Sequence, residues 1–369
     1  MKLYVSDLEL TQYRNFSNIH LEFSPGLSII SGNNGEGKTN LLESLYLISI
    51  GKSFRARNDF ELIKHRSPDQ INKFVTQTTI HGITKFANEK NNIVIALPSD
   101  NNQHKEMKLN GINISASQLV GKTPTVLFTA HDMDIVLGSP GKRRQFLDIL
   151  ISQVNQEYLI KLQKYQQILT QRNSLLKSIR EQQSSEDELV YWSAKLIELG
   201  TFIINKRNDI ISFIDREIQE IHSEFSPKEK LSFKYIPSVS IENFEETLNS
   251  TLKQQIVMGI TDIGPHRDNV LIHINEKSAY SFSSRGQAKN IVLSLRLSEA
   301  KIIQSTINVQ PILLLDDILS ELDEFRRKKI IEKMHIYNQS IVTTPEPDLI
   351  EATYANNIIH IRNGEILKQ

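Results

Sequence analysis

The sequence contains no cysteine among its 369 residues. Disulfide bonds, thiolate metal sites and cysteine nucleophiles are therefore excluded. The sequence also lacks an excess of charge of either sign, because 43 Lys and Arg residues are balanced by 43 Asp and Glu residues. Overall charge therefore gives no argument for binding to nucleic acid or to a membrane surface, and any such binding must depend on local basic clusters.

Long hydrophobic runs are missing as well. No stretch of the sequence approaches the roughly 18 consecutive apolar residues of a transmembrane helix. The N-terminal segment MKLYVSDLELTQYRNF alternates apolar and charged residues instead of forming the hydrophobic region of a signal peptide. Together with the absence of cysteine, this predicts a soluble cytoplasmic protein without a membrane partner.

Three parts of the chain differ in the spacing of their apolar residues. Residues 1–130 contain short alternating segments that predict strands, residues 131–228 repeat apolar residues every three or four positions, and residues 229–369 return to a mixture of strands and helices. The pattern predicts an α/β fold in which a helical domain of residues 131–228 is inserted between two pieces of one α/β domain.

The helical insertion is predicted to form a hairpin. Apolar residues continue at helical spacing from Phe146 to Leu169 and again from Trp192 to Ile221, while the polar segment EQQSSEDE between them predicts a turn. The stretch that begins at about Lys142 is therefore predicted to be one long amphipathic helix. Strict heptads are not sustained, so a long coiled coil is not expected.

The segment GNNGEGKT, from Gly32 to Thr39, matches the phosphate-binding pattern G-x-x-x-x-G-K-[ST]. It lies between a predicted strand and a helix predicted from about Gly37, which is the setting that the pattern requires. Glycines let backbone N–H groups curl around an anion, and the helix N-terminus adds partial positive charge. Lys38 is predicted to reach the β- and γ-phosphates of ATP, and Thr39 to offer its hydroxyl to Mg²⁺. A glycine-rich turn with an incidental lysine is the structural alternative.

A second segment supplies the acidic residues that a nucleotide site needs. In PILLLDDILSELD, residues 311–323, a buried strand is predicted to end at Asp316, and ligands of an open α/β sheet gather at the carboxyl ends of its strands. Asp316 is predicted to hold Mg²⁺ directly or through water, and Asp317 to orient or deprotonate the attacking water. A buried strand that ends in a solvated acidic turn is the alternative.

The segment SFSSRGQAKN precedes that strand. Ser284, Gly286 and Gln287 open a predicted helix, and S-x-G-Q in this position resembles the signature sequence of ABC-type ATPases. In that class the signature covers the γ-phosphate of ATP held by a second copy, so that two heads close over two ATP molecules. The structural alternative is a helix N-cap formed by Ser284, with Gly286 incidental.

Seven ordered blocks, spread from about residue 8 to residue 344, together resemble the RecF family of bacterial DNA replication and repair proteins. These blocks are LTQYRNF, GNNGEGKTNLLESLYLIS, GKSFR, DMDIVLGSPGKRRQFLD, GPHRDN, SSRGQAKN and PILLLDDILSELD. The resemblance implies an SMC-like ABC ATPase head with a short helical arm domain. It also implies ATP-dependent homodimerisation, binding to double-stranded DNA near single-strand/double-strand junctions at gaps, and slow, DNA-stimulated ATP hydrolysis. Partners implied in the same way are RecR and RecO, with RecA loaded indirectly and the SOS response supported.

Position by position, the resemblance assigns residues of this sequence to the nucleotide site. The assigned residues are Gly32, Asn33, Asn34, Gly35, Glu36, Gly37, Lys38, Thr39 and Asn40 in the phosphate loop, Ser284, Gly286 and Gln287 in the signature, Asp316 and Asp317 as acids, Asp323 in the D-loop with Ser320, Glu321 and Leu322, and Arg14 as a contact to phosphate or adenine. Among these, Lys38 and Asp317 are the expected catalytic residues, while Thr39 and Asp316 are expected to hold Mg²⁺. The D-loop is expected to cross to the partner copy.

The sequence departs from the family pattern at three places. Asn269 stands where the family usually has an aspartate, and His131 with Asp132 stands where related heads have a glutamine-bearing loop near the metal. Thr343 and Thr344 stand where many ABC ATPases have a histidine that senses the γ-phosphate. ATP hydrolysis is therefore expected to be weak.

Two basic clusters are candidates for contact with DNA phosphates. They are Lys52, Arg55 and Arg57 in GKSFRAR, and Lys142, Arg143 and Arg144 in GKRRQF. Charge alone does not separate such contacts from ordinary solvated faces. Because the sequence shows no zinc spacing, aromatic stacking box or groove-reading helix motif, recognition of DNA shape or of junctions is expected rather than recognition of base sequence.

Two other functions fit part of the sequence. A nucleotide-binding subunit of an ABC transporter would share the phosphate loop and the signature, but the interval from Lys38 to Ser284, with its helical hairpin, is longer than a compact subunit needs. A P-loop kinase would leave the S-x-G-Q segment unexplained and would need a site for a phosphoryl acceptor, which the sequence does not show.

Overall fold

The structure is a computed structural model that describes residues 2–64, 77–98, 104–350 and 355–368. The chain forms two compact units, Met1–Asp132 with Glu299–Gln369, and Met133–Ser298. The first predicted boundary, after residue 130, lies close to a limit of these units, whereas residues 229–298 belong to the same compact unit as the helical hairpin. The assignment of residues 229–298 to the ATPase head stays a prediction, because a compact unit is not by itself a functional domain.

An antiparallel six-stranded sheet forms one part of the first unit. Its strands are β1 (Leu3–Tyr13), β2 (Phe16–Glu22), β4 (Thr78–Phe86), β5 (Glu89–Leu97), β6 (Glu106–Leu109) and β7 (Ile112–Asn113), in the order β2-β1-β4-β5-β6-β7. The sequence KLNGINI predicts a hairpin turn at its Asn-Gly pair, and the φ angles of Asn110 and Gly111 between β6 and β7, 51° and 82°, confirm it. The sequence FVTQTTIHG, residues 74–82, also predicts a strand. That segment lies partly outside the described residues, and β4 covers its later part.

A second six-stranded sheet in the same unit is mainly parallel. Its strands are β3 (Gly26–Ser31), β8 (Thr125–Phe128), β12 (Ile312–Asp316), β13 (Gln339–Thr344), β14 (Asn357–Arg362) and β15 (Glu365–Lys368), in the order β15-β14-β3-β13-β12-β8. Only β15 pairs antiparallel to its neighbour. The register sets Thr344 beside Ser31 and Thr343 beside Asp316. The carboxyl ends of β3, β13 and β12 therefore meet at one edge of the sheet.

The first helix, α1 (Lys38–Ile50), is buried on nearly all sides. Leu41, Leu42, Leu45 and Ile48, whose spacing in the sequence predicts one apolar face of a packed helix, are each at most 1% exposed. The helix contacts strands of both six-stranded sheets and joins their hydrophobic core. A helix buried in this way is not amphipathic, so a polar residue within it must find its partners inside the protein.

Short helices complete the first unit. They are α2 (Ala116–Leu119), α11 (Glu324–Ile336) and 3-10 helices at Asp59–Leu62, Ala130–Asp132, Leu319–Glu321 and Pro347–Leu349. Among the described residues of the whole chain, no helix is long and apolar enough to cross a membrane.

The second unit combines helices with a small antiparallel sheet. Its elements are α3 (Met133–Leu137), α4 (Pro140–Val154), α5 (Gln156–Arg180), α6 (Leu189–Ser223), β9 (Leu231–Ile236), α7 (Phe244–Ser250), α8 (Leu252–Met258), β10 (Asn269–Ile274), β11 (Lys277–Ser278), α9 (Ala279–Phe282) and the first part of α10 (Arg285–Ile307). The strands pair in the order β11-β10-β9, and α5 packs against α6 as the predicted hairpin requires.

The prediction of one uninterrupted helix after about Lys142 was wrong. The chain leaves the helical conformation at Asn155, whose φ and ψ are −142° and 99°. The side-chain oxygen of Asn155 accepts a hydrogen bond of 2.8 Å from the backbone N–H of Tyr158 and caps α5. Because Phe146 before the break and Tyr158 after it are both buried, the helical spacing of apolar residues continues across two helices and conceals the break.

Candidate nucleotide-binding site

The predicted phosphate loop connects β3 to α1, and its glycines are required by its geometry. Gly35 and Gly37 have φ angles of +86° and +117°, which side-chain-bearing residues avoid. A Cβ atom on Gly37 would also lie 2.5 Å from Asn15 Nδ2. The loop is therefore a tight turn before a helix N-terminus, where backbone N–H groups can surround an anion.

Hydrogen bonds within the motif and from residues outside it fix the shape of the loop. Glu36 Oε2 accepts a bond of 2.6 Å from the backbone N–H of Asn33, which closes the loop on itself. The carbonyl oxygen of Glu36 accepts bonds from Asn15 Nδ2 at 2.8 Å and from the backbone N–H of Gly364 at 3.2 Å. Asn15 Oδ1 in turn accepts a bond of 2.7 Å from Asn40 Nδ2. The sequence did not predict this role of Asn15, since its partners lie far away in the chain.

The ammonium group of Lys38 lies against the loop. Nζ donates to the carbonyl oxygens of Gly32 at 2.6 Å and Asn33 at 2.9 Å. Burial lowers the pKa of Lys38, and the negative charges of Asp317 and Glu36 oppose this effect. The lysine is thus a partly desolvated cation beside the backbone of the loop, an arrangement suited to bind phosphate oxygens.

The carboxylate of Asp316 lies beside the start of α1, as predicted. Its Oδ1 accepts hydrogen bonds from Thr39 Oγ1 at 2.9 Å and from Thr343 Oγ1 at 2.8 Å. Burial raises the pKa of Asp316, while the two hydroxyl donors act in the opposite direction. Thr343, noted in the sequence as a replacement for histidine, therefore orients the acid at the end of β12.

Asp317 adopts the left-handed backbone conformation, with φ of +51°. Aspartate tolerates this region better than most residues. Its backbone N–H donates to Thr343 Oγ1 at 3.0 Å, and its Oδ1 accepts from Ser320 Oγ at 2.9 Å. Thr343 thus fixes the backbone of Asp317 and Ser320 fixes its carboxylate, which is predicted to orient the attacking water.

Two other acidic residues noted in the sequence act as caps in this structure. Asp323 Oδ1 accepts a bond of 2.9 Å from the backbone N–H of Arg326 at the start of α11, and this bond lowers the pKa of Asp323. Asp132 Oδ2 accepts a bond of 2.9 Å from the backbone N–H of Thr129, while His131 is exposed. The crossing of the D-loop to a partner stays a prediction.

Glu43 is a buried carboxylate that the sequence analysis missed. It is 0% exposed and accepts two bonds from Arg14, at 2.8 and 2.9 Å, one from Tyr13 Oη at 3.1 Å, one from Ser53 Oγ at 2.5 Å and one from Arg55 Nη2 at 3.0 Å. Burial alone would raise its pKa, but the bonds from Arg14, Arg55 and Ser53 outweigh burial and lower it. A charged residue within the apolar helix LLESLYL was the available signal of such a site.

Arg14, which the resemblance assigned to a contact with phosphate or adenine, is hydrogen-bonded to Glu43. Arg14 directs Nε and Nη2 to Glu43, and its Nη1 donates to the carbonyl oxygen of Glu61 at 2.6 Å. Arg55 also donates to Asn40 Oδ1 in the phosphate loop. The contact of Arg14 with phosphate or adenine stays a prediction, whereas Arg55 is the arginine that hydrogen-bonds to a residue of the predicted loop.

The two basic clusters differ in the structure. In the first cluster Lys52 and Arg57 are exposed. In the second cluster Arg143 is buried, and it donates to the carbonyl oxygen of Gly138 at 3.0 Å and to Asn269 Oδ1 at 3.1 Å. Arg144 donates to the carbonyl oxygen of Asp268 at 2.7 Å. The second cluster therefore has internal partners for its arginines.

The signature segment begins α10 in the second unit. Gln287 N–H donates to Ser284 Oγ at 3.2 Å, and Ser284 N–H donates to Gln287 Oε1 at 2.9 Å, which is a capping box. Ser284, Arg285 and Gly286 are exposed. A Cβ atom on Gly286 would contact only Ser284 Oγ, at 3.9 Å, and the φ angle is not positive. Nothing in the described chain therefore requires glycine at this position.

Both the sequence and the structure are similar to those of known proteins. The family model described as RecF/RecN/SMC N terminal domain matches residues 4–366. Proteins of Bacillus cytotoxicus and Bacillus thuringiensis, both described as DNA replication and repair protein RecF, are 34% identical to this chain over 379 and 380 residues. Each match covers 99% of this chain and 98% of the relative.

Solved structures give the same result. A structure of the recombination mediator protein RecF-ATP in the RecFOR pathway has a TM-score of 0.91 at 32% identity and covers 100% of this chain and 98% of its own. A second, of RecF-ATPrS, has a TM-score of 0.89 at 31% identity and covers 100% and 99%. An Smc head domain from Pyrococcus furiosus, at 18% identity and a TM-score of 0.57 over 99% and 95% of the chains, shows likeness of fold alone. The predicted fold class, an α/β ABC-type ATPase head of the SMC-like kind, is confirmed.

Proposed function

The chain belongs to the RecF family, and on that premise we propose that it is an ATP-dependent DNA-binding protein of recombinational repair and replication-gap processing. Two copies pair when they bind ATP, and the pair holds double-stranded DNA near single-strand/double-strand junctions. Together with RecR and RecO it helps to load RecA in the cytoplasm, and it supports the SOS response. ATP hydrolysis, weak and stimulated by DNA, releases the pair.

One observation carries the proposal. Thr39 at the start of α1 and Asp316 at the end of β12 are far apart in the sequence, and their side-chain oxygens lie 2.9 Å apart. The phosphate loop after β3 and the acid at the end of β12 thus form one site, with β13 between the two strands. ATP hydrolysis needs both parts, because the loop binds the phosphates and the acid holds the metal.

The oxygen atoms of Thr39 and Asp316 fit Mg²⁺, which prefers hard oxygen ligands in near-octahedral geometry. A bound Mg²⁺ would neutralise charge on the β- and γ-phosphates. Lys38 would bind the same phosphates from the loop side, and Asp317, fixed by Thr343 and Ser320, would orient the attacking water.

Pairing of two copies is supported by the exposed signature. Gly286 is a glycine without a steric or conformational reason inside the described chain. A glycine of this kind is suited to close approach by another molecule. In the proposal that molecule is the ATP held by the second copy, which Ser284 and the N-terminus of α10 approach.

The first basic cluster is the proposed surface for DNA. Lys52 and Arg57 are exposed, and Arg55 of the same segment joins Glu43 and Asn40 beside the phosphate loop. Contacts of lysine and arginine with backbone phosphates supply affinity without reading base sequence. The position of the cluster also provides a physical connection between bound DNA and bound nucleotide.

The transporter alternative is not favoured. The relatives and the solved structures that match nearly the whole chain are RecF proteins. These matches include the helical second unit, for which a transporter subunit would have no function.

Replacement of Asp317 with asparagine tests the proposed function. Because the amide can still accept a hydrogen bond but cannot take a proton, hydrolysis should fall about 100-fold or more while ATP binding persists. Size-exclusion chromatography with ATP should then show an accumulated dimer, which duplex DNA should retain. Asp187→Asn in the exposed turn before α6 is the control. A variant that stays monomeric with both ligands would contradict the proposal.

Replacement of Ser284 tests whether the signature acts on a second copy. Ser284→Ala removes the cap of α10 and should cost about 1 kcal/mol of stability. Ser284→Arg removes the same cap and adds a long charged side chain at the exposed position, so it should also block ATP-dependent dimerisation. Both variants should bind a fluorescent ATP analogue with the affinity of the unmodified chain. If Ser284→Arg lost as much ATP affinity as Lys38→Ala is expected to lose, the proposed role of Ser284 at the ATP of a second copy would be ruled out.

A further inference from the structure

A carboxylate from the segment after α6 contacts the signature segment. Gln287 Nε2 donates a hydrogen bond of 2.9 Å to Glu229 Oε1. Gln287 is also the residue that closes the capping box with Ser284. One glutamine side chain therefore contacts the exposed serine of the signature and, through its amide, the segment that follows α6.

Glu229 is itself fixed by three contacts to the end of α6 and the turn after it. Its carbonyl oxygen accepts a bond of 3.1 Å from Gln219 Nε2, and its N–H donates to the carbonyl oxygen of Ser226 at 3.0 Å. Glu229 Oε2 lies 3.2 Å from Nε2 of the fully buried His222. Since a carboxylate only accepts hydrogen bonds, His222 Nε2 is the donor. The orientation of the carboxylate is therefore determined on both sides.

The same part of the chain contacts α10 at two further positions. His222 Nδ1 lies 3.0 Å from Ser294 Oγ, and Asn290 Nδ2 donates to Ser226 Oγ at 2.8 Å. Gln287, Asn290 and Ser294 are separated by three and four residues, so they lie on one face of α10. The segment from His222 to Glu229 thus contacts the first turns of the signature helix in three places.

We propose that Glu229 is the positioning residue of the signature: it fixes Gln287, and through Gln287 the capping box that presents Ser284 and Gly286. Because of the same contacts, a shift of the C-terminal end of α6 would also shift the signature. The inference rests on the proposed function, in which the signature meets the ATP of a second copy. Its physical basis is pre-organisation, because a long glutamine side chain that is already ordered loses less conformational entropy when two copies pair.

An exchange of two residues separates positioning from general damage. In Glu229→Gln, the bond from Gln287 goes to a neutral amide oxygen, and a hydrogen bond to a neutral acceptor is about half as strong as one to a carboxylate. His222 Nε2 then faces the new amide group and keeps a partner there only by changing tautomer. The double variant Glu229→Gln with Gln287→Glu restores every bond with one polarity reversed. The N–H₂ group of the new amide at position 229 donates to one oxygen of the new carboxylate at position 287, and the amide oxygen accepts from His222. The second carboxylate oxygen at position 287 accepts from Ser284 N–H. Glu242→Gln, at an exposed glutamate elsewhere in the unit, is the control.

Two measurements decide the question. The first is amide hydrogen exchange over residues 284–290 in the nucleotide-free chain, where Glu229→Gln should lose protection, and the double variant and the control should keep it. The second is the dissociation constant of the ATP-dependent dimer. It should rise about tenfold in Glu229→Gln, corresponding to about 1.4 kcal/mol, with unchanged ATP affinity of the monomer. The double variant is compared by hydrogen exchange alone, because its new charge at position 287 lies in the signature that meets ATP. Unchanged exchange and pairing in Glu229→Gln, or a double variant whose residues 284–290 are no better protected than those of the single variant, would overturn the inference. If the unmodified chain stays monomeric with ATP, the proposed function fails, and the exchange measurement still decides whether Glu229 holds the signature.

Discussion

Replacement of Lys38 with alanine is expected to abolish ATP-dependent pairing of two copies. In the structure, Nζ lies next to the phosphate loop, held by the carbonyl oxygens of Gly32 and Asn33. A hydrogen bond to a charged group contributes about 1.5–3 kcal/mol, and this ammonium group can donate to more than one phosphate oxygen. Loss of the group should therefore weaken ATP binding by about 100-fold or more.

The fold should tolerate this change. Because burial lowers the pKa of Lys38, the charged form is less favourable in the folded chain than in water, and removal of the ammonium group removes that penalty. Thermal unfolding without nucleotide should therefore be close to that of the unmodified chain, and close to that of Lys122→Ala, a control at an exposed lysine. Calorimetric titration with ATP and size-exclusion chromatography measure the loss. A Lys38→Ala chain that binds ATP with unchanged affinity would refute the assignment of the phosphate loop.

The parts of the nucleotide site that the sequence predicted are those with local causes. The loop from Gly32 to Thr39 needs glycine at defined positions between a strand and a helix, and all three features are visible in adjacent residues. The meeting of Thr39 with Asp316 followed from a general rule, since the carboxyl ends of the strands of a parallel sheet lie at one edge. The start of α10 after Ser284 was also predicted, because Ile291 and Leu295 have helical spacing and are buried.

The parts that the sequence did not predict depend on contacts between distant residues. No spacing rule connects Glu43 with Tyr13 and Arg55, although both of these side chains donate hydrogen bonds to the buried carboxylate of Glu43. In the second unit, Asn155 ends α4 and caps α5 without changing the spacing of apolar residues on either side. Periodicity reports which face of the chain is buried. The spacing of apolar residues does not show where one helix ends and a side chain such as that of Asn155 caps the next.

Replacement of Glu43 with glutamine is expected to destabilise the first unit strongly. The amide keeps the shape of the carboxylate but removes the charge that compensates Arg14 and Arg55. Arg14 and Arg55, whose side chains are 19% and 32% exposed, would lose their charged acceptor. Because hydrogen bonds to charged groups contribute about 1.5–3 kcal/mol, urea unfolding at pH 7 should show a loss of about 2–3 kcal/mol. Glu89→Gln, at an exposed glutamate in β5, should change the free energy of unfolding by less than about 0.5 kcal/mol.

The pH dependence identifies charge as the cause. The pKa of Glu43 is lowered in the folded chain, so the folded state binds this proton less readily than the unfolded state does. The stability contributed by Glu43 is therefore fully present above the unfolded pKa of about 4.3. It is lost as the pH falls through the lower, folded pKa. The difference in unfolding free energy between the unmodified chain and Glu43→Gln should stay constant from pH 7 to about pH 5 and shrink at more acidic pH. A difference that is the same at pH 7 and pH 3.5, or absent at pH 7, would show that the carboxylate does not hold the two arginines through its charge.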